Sequence, residues 1–250
     1  MTGATPTKVA FVTGAASGIG RAAAEAFLRR GFATALADLN DRAGQEARDE
    51  LSALGPCVYV SCDVTQDDSV RRAVAATVAA YGRLDAAFNA AGIDGEQGRL
   101  LAESSLENWN RVIAVDLTGI WSCLRHELPA LVASGGGAIV NCASVAGIRA
   151  APTVSAYTAA KHGVVGLTRV AAREYAPHGV RVNALCPGTV DTPMFRAAMS
   201  EETIQRLVLA NPSGRVADAR EIADTAVWLC ADAPAYLTGQ AISVDGGAGA

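Results

Sequence analysis

Two residues four positions apart, Tyr157 and Lys161, carry the sharpest chemical signal in the chain. On a helix this spacing puts both side chains on one face, where they can meet. An ammonium beside a phenol favours the phenolate and lowers a pKa that is otherwise about 10. A tyrosine tuned in this way passes protons near neutral pH. Alone, a Tyr-x-x-x-Lys pair is common on exposed helices; its order and company give it meaning. A glycine-rich stretch from Thr13 to Gly20 comes first, Asp38 follows, and Ser144 stands shortly before the pair.

Such groups need a scaffold that brings distant segments together. Short β-type runs are expected at Lys8–Thr13, Thr34–Asp38, Cys57–Cys62, Leu84–Asn89, Ala138–Cys142, Val180–Leu185 and Ala241–Val244. Helical patterns occupy 18–30, 41–54, 67–80, 106–133, 156–176 and 219–231. The alternation implies right-handed βαβ crossovers and a parallel sheet covered on both faces. The expectation is an α/β fold, one doubly wound Rossmann-type domain with a seven-stranded parallel sheet, spanning 1–250. Two segments break the pattern. Gly92–Leu101 reads as a loop, and about 188–212 is an insertion after the sixth strand. Within it, Pro193–Leu209 carries an apolar stripe at Met194, Phe195, Ala198, Met199 and Leu207, as expected of a helical substrate lid near the strand ends.

The run Val9–Thr13 leads into Gly14, Ser17, Gly18, Ile19 and Gly20, and a helix follows. Glycines permit a tight turn and let backbone N–H groups approach a pyrophosphate, which the helix N-terminus also favours. Asp38 ends the second strand, where an acid can accept hydrogen bonds from an adenosine ribose diol and repel a 2′-phosphate. Like charges about 4 Å apart interact by about 4 kcal/mol at an effective dielectric near 20. Solvent leaves roughly 1–3 kcal/mol of that, a ten- to hundredfold preference for NAD. Asn40 is available to cap the following helix in place of Asp38.

In this order, glycine loop, acid, Ser144, Tyr157 and Lys161 make the chain resemble the short-chain dehydrogenase/reductase family from Val9 to Gly247. The resemblance implies hydride transfer between a carbinol carbon and a nicotinamide cofactor. Tyr157 is then the general acid/base, Lys161 lowers its pKa and holds the nicotinamide ribose, and Ser144 hydrogen-bonds the substrate oxygen. It further implies cofactor contacts at Asp63, Val64, Asn89, Ala90, Gly92, Pro187, Gly188, Val190 and Thr192. Ser17 and Leu39 occupy positions where NADP-using relatives often carry Lys or Arg, which again favours NAD. One departure stands out: Asp116 occupies the position of a family Asn whose main-chain carbonyl completes a catalytic tetrad by holding a water. Aspartate keeps that carbonyl but adds a charge inside a packed helix.

By family position the substrate pocket is expected from Ile93, Val145, Ala146, Arg149, Val154, Val190, Met194 and Phe195. Most are apolar, favouring a hydrophobic secondary alcohol or cyclic diol over a charged sugar. A 3-oxoacyl-thioester reductase is the nearest alternative, and a non-catalytic NAD-binding sensor is the alternative of another class. The net charge of −4 gives no hint of nucleic acid or membrane as partner. Six cysteines without C-x-x-C spacing and only three histidines make a metal site improbable and suit a reducing cytoplasm. Met1–Lys8 reads as a polar lead-in without a signal-peptide core. The resemblance also implies a homotetramer built on the long helices at 106–133 and 156–176 and on the last strand.

Overall fold

The computed structural model describes residues 8–250, so most of the polar lead-in lies outside the described residues. Three βα units open the chain: β1 (Val9–Thr13), α1 (Gly18–Arg29), β2 (Ala33–Asp38), α2 (Asp41–Leu51), β3 (Cys57–Ser61) and α3 (Asp67–Tyr81). The second half begins with β4 (Ala86–Asn89), α4 (Leu106–Val112), α5 (Gly119–Ala133), β5 (Gly137–Cys142), α6 (Ser155–Tyr175) and β6 (Val180–Pro187). It ends with β7 (Val190–Asp191), α7 (Pro193–Ala198), α8 (Glu201–Ala210), β8 (Ala217–Asp218), α9 (Ala219–Ala231) and β9 (Ala241–Val244). Seven of the strands form one parallel sheet in the order β3-β2-β1-β4-β5-β6-β9. The expected doubly wound fold is therefore present.

All five residues of β1 are buried. Successive side chains of a strand point to opposite faces, so a strand covered on both sides must be apolar throughout. Accordingly, Val9 and Phe11 join the core beneath α3, α5 and α6, while Ala10 and Val12 join the core beneath α1, α2 and α9. The strand order reverses between β1 and β4, which pair with Thr13 opposite Asn89. At such a switch point the following segments diverge to opposite faces and leave a crevice beyond the carboxyl ends of the strands.

Three features depart from the sequence expectation. The helical stretch 106–133 is interrupted by a π-helical turn over Ile113–Thr118. The insertion after β6 carries two helices rather than one, because Met199 is extended and the Ser200 hydroxyl accepts a hydrogen bond from the Thr203 amide to start α8. Finally, β7 and β8, which flank α7 and α8 in the chain, pair as a short parallel ribbon too brief to leave a periodic signal.

Candidate active site

Ser144, Tyr157 and Lys161 all line one cleft of about 650 Å³. The first turns of α6 bring Tyr157 and Lys161 together, with the Lys161 Nζ 5.2 Å from the centre of the phenol ring. Ser144 follows β5, and its Oγ accepts a hydrogen bond from the Ala146 amide at 3.1 Å, closing a short turn over Val145–Gly147. Gly147 lies directly on α6: a β-carbon there would stand 2.6 Å from the Lys161 carbonyl. Only glycine allows the Ser144 loop to approach α6 this closely.

Asp116 is drawn into the same cluster. It sits on the π-helical turn and is fully buried, while Lys161 is only 4% exposed. Its Oδ1 accepts the Ile93 amide at 2.9 Å, and its Oδ2 lies 3.1 Å from Lys161 Nζ, an ion pair approached off the hydrogen-bonding axis. Lys161 also donates to the Cys142 carbonyl at 3.1 Å. Burial by itself disfavours the ammonium, but the Asp116 carboxylate, with Tyr157 and Cys142, more than reverses this and raises the Lys161 pKa. The expected lowering of Tyr157 does not occur. Burial raises its pKa, Lys161 opposes that, Asp116 adds to it, and the Ser144 hydroxyl pulls it down again. Burial is thus the main reason the phenol is not lowered, and the Asp116 carboxylate partly offsets the Lys161 charge that opposes it.

The crevice at the switch point suits a nicotinamide cofactor. Gly14 and Gly18 have φ of +66° and +54°, and a β-carbon on Gly20 would stand 2.2 Å from the Gly14 carbonyl. Ser17, at the head of α1, makes no side-chain cap, so the first amides of the helix stay open for an anion. Asp38 Oδ2 accepts the Ala16 amide at 2.9 Å and Oδ1 the Asn40 amide at 2.9 Å, which pins the glycine loop to the end of β2. Asn40 caps α2 through the Ala43 amide, as the sequence suggested, leaving Asp38 in the cleft wall. Leu39 beside it is 68% exposed, and neither it nor Ser17 brings a positive charge.

Ile19, Asp63, Val64, Ala90, Gly92, Pro187, Gly188, Val190 and Thr192 also line the cleft. Thr192 caps α7 and faces the glycine loop, 3.5 Å from where a β-carbon on Gly18 would stand. Asn89 is the exception. It is fully buried, and its amide donates to Glu127 at 2.9 Å and to Asn141 at 3.0 Å. A side chain of a central strand that points into the sheet's lower core cannot also reach the crevice. What holds the following loop is Thr13, whose hydroxyl accepts the amides of Ala90 and Ala91.

On the substrate side, Ile93, Met194 and Phe195 form part of the wall, but Val145, Ala146, Arg149 and Val154 do not. The tight turn after Ser144 buries Ala146, and Arg149 reaches away to donate to the Ala248 carbonyl at 3.0 Å. Nearness in sequence to a catalytic residue does not set the direction of a side chain. The structure adds Asp94, Gln97, Val115, Met199 and Leu207. Met199 and Leu207 were visible as part of the lid's apolar stripe; Asp94 and Gln97 left no signal within a glycine-rich loop. Among the described residues no group of three or more His, Cys, Asp or Glu is placed to hold a metal ion, and no helix is long and apolar enough to cross a membrane.

Comparison with known proteins agrees with this geometry. A family model described as enoyl-(acyl carrier protein) reductase matches residues 14–249. The chain is 44% identical over 243 residues to a 2,5-dichloro-2,5-cyclohexadiene-1,4-diol dehydrogenase of Sphingobium indicum, covering 96% of each. It is 40% identical over 240 residues to a cyclohexanol dehydrogenase of Acinetobacter sp., covering 96% of this chain and 94% of that one. The crystal structure of levodione reductase superposes with a TM-score of 0.93 at 34% identity, over 96% of both chains. The chain belongs to the short-chain dehydrogenase/reductase family, oxidoreductases that act on CH–OH groups with a nicotinamide cofactor.

Proposed function

We propose that this chain is an NAD-dependent dehydrogenase that interconverts a hydrophobic cyclic secondary alcohol or diol and the corresponding ketone. The observation that carries the reading is the convergence of Ser144, Tyr157 and Lys161 on one cleft, with the glycine loop at one side and apolar Ile93, Met194 and Phe195 at the other. The cyclic alcohols named for the two relatives give the substrate class. When bound, the nicotinamide ring supplies the hydride acceptor or donor. In oxidation the Tyr157 phenolate removes the hydroxyl proton of the substrate; in reduction the phenol returns one. Ser144 donates to the substrate oxygen as charge develops there, a kind of contact worth about 2.7–4 kcal/mol per donor. Lys161 holds the ribose side of the cofactor and keeps a positive charge beside the phenol. Asp116, through Lys161, keeps that ammonium protonated.

NAD rather than NADP is supported by Asp38 in the cleft wall and by the absence of a basic side chain at Ser17 and Leu39. The whole chain then acts as one catalytic domain, with the insertion around 188–212 as its lid. A homotetramer is supported by exposed Leu106, Trp109, Trp121 and Val170 on α4, α5 and α6, an apolar surface suited to self-association. Light scattering at micromolar concentration checks it, and a monomer there would sink it. Six free thiols, five of them buried, suit a reducing cytoplasm. A second reading, reduction of an acyl thioester, rests on the description of the matching family model.

Absorbance at the NADH band decides among these. Purified enzyme is mixed with NAD or NADP and cyclohexanol, cyclohexanediols or, in reverse, a 3-oxoacyl thioester. Turnover of the cyclic alcohols with NAD, roughly tenfold or more above that with NADP, is expected. Tyr157→Phe should lower the rate by about 10²–10⁴. Reduction of the thioester without oxidation of any cyclic alcohol would transfer the assignment to the second reading.

A further inference from the structure

The loop between β4 and α4 contains polar side chains that the mechanism above does not use. Glu96 is fully engaged: Oε1 accepts the Ser105 hydroxyl at 2.7 Å and Oε2 the Ser105 amide at 3.2 Å. Asp94 and Gln97 have no hydrogen-bond or ion-pair partner among the described residues, and both line the cleft that holds Ser144 and Tyr157. The backbone around Asp94 is anchored on each side. The Ile93 amide is held by Asp116 at 2.9 Å and the Glu96 amide by Asn108 Oδ1 at 2.8 Å. Gly95, at φ +70°, turns the chain between these anchors, and a β-carbon there would stand 2.5 Å from Val112. A carboxylate is therefore presented in a defined position in a cleft whose lining also includes apolar Ile93, Met194, Phe195, Met199 and Leu207.

An anionic group in such a place is costly unless something donates to it. Burial, chiefly, and the nearby Asp116 charge raise the Asp94 pKa, with Lys161 opposing them. No cation among the described residues is paired with this half-buried side chain, so it is open to a donor carried by what enters the cleft. The cleft's apolar wall selects a hydrocarbon ring, and the carboxylate accepts from a hydroxyl carried on that ring. It repels a substrate whose second group is itself a carboxylate.

We propose that Asp94 reads the second polar group of the substrate: it accepts a hydrogen bond from a further ring hydroxyl while Ser144 and Tyr157 hold the reacting one. The inference rests on the cyclic-alcohol reading and narrows it to diols, with Gln97 as a second contact at the mouth.

The test is steady-state kcat/KM with NAD for the wild type, Asp94→Asn and Asp94→Ala. The substrates are cyclohexanol, cyclohexane-1,2-diol, cyclohexane-1,4-diol and 4-hydroxycyclohexanecarboxylate. The better diol should exceed cyclohexanol by roughly tenfold or more in the wild type, and this ratio should collapse towards one in Asp94→Ala. The hydroxy acid should gain on cyclohexanol by a similar factor in Asp94→Asn, which removes the charge and keeps the shape. Ratios within each enzyme are unaffected by a change in the folded fraction. Turnover of cyclohexanol with diol ratios equal in all three enzymes would overturn the role of Asp94 and leave the cyclic-alcohol reading standing. Failure of the wild type to oxidise any of the four would overturn both.

Discussion

Tyr157, Lys161 and Ser144 show how far side-chain identity reaches and where it stops. Their types and order announced proton transfer at a carbinol, and the structure brings them into one cleft. The electrostatic balance among them was not legible, because it depends on Asp116, distant in sequence and turned inward by the π-helical segment. Its carboxylate answers the ammonium and adds to the burial that raises the Tyr157 pKa. The sign follows directly. On the proposed mechanism oxidation needs the phenolate, so its rate should climb as pH rises into the alkaline range, while reduction uses the phenol and runs well at neutral pH. Asp116→Asn removes a negative charge from beside the phenol, so the ionisation limb of the oxidation profile should move to lower pH. Measured kcat/KM against pH checks this, with cyclohexanol as substrate. A limb that stayed in place or moved upward would mean that Asp116 acts on the loop at Ile93 rather than on proton transfer.

At the scale of elements, the glycine loop was legible because each glycine answers a steric demand that sequence alone makes visible. Gly20 is the tightest: a methyl group there would be forced onto the Gly14 carbonyl. Gly20→Ala should cost about 1–3 kcal/mol of stability, the usual range for overpacking, since backbone rather than a flexible side chain must yield. It should also weaken NADH binding measured by fluorescence, because the loop backbone that must approach the pyrophosphate is displaced. A thermal midpoint and affinity equal to wild type would contradict the close approach of loop and helix. The internal structure of 106–133 and of the lid was not legible. A π-helical turn adds one residue to a turn without disturbing composition. The break at Met199 likewise depends on Ser200 capping a helix within a continuous apolar stripe.

Across the whole molecule, a buried polar network ties the layers together. Asn89 on β4 donates to Glu127 on α5 and to Asn141 on β5, and Asn141 donates to Thr168 on α6 at 3.0 Å. Glu127 is fully buried; burial raises its pKa to about 8, with the Asn89 hydrogen bond opposing the shift. Between about 4.5 and about 8 the folded chain keeps a proton that the unfolded chain releases. The stability this proton contributes is complete at the acid end of that window and is lost progressively as pH rises through it. Glu127→Gln keeps an acceptor for Asn89 and abolishes the ionisation. Urea unfolding of the variant should therefore lose less stability between pH 5 and pH 8 than the wild type does. Parallel curves for the two proteins would show that Glu127 does not titrate across this range. This network couples β4 and β5 to α5 and to α6, which carries Tyr157 and Lys161, so damage to it is expected at the active site as well as in the melting curve.

The linear chain determined the alternation of strands and helices, hence the doubly wound sheet, because fully apolar strands and 3.6-residue periodicity are local properties. It also determined the glycine loop and the Tyr157–Lys161 pair, whose spacing is meaningful within a single turn or helix. Tertiary structure decided the direction of side chains between elements. It turned Asn89 into the core, took Arg149 to the C-terminal segment, paired Asp116 with Lys161 and left Asp94 unpaired in the cleft. Those outcomes depend on which segments meet after the chain crosses the sheet, and residues far apart in sequence carry no local record of the neighbours they acquire.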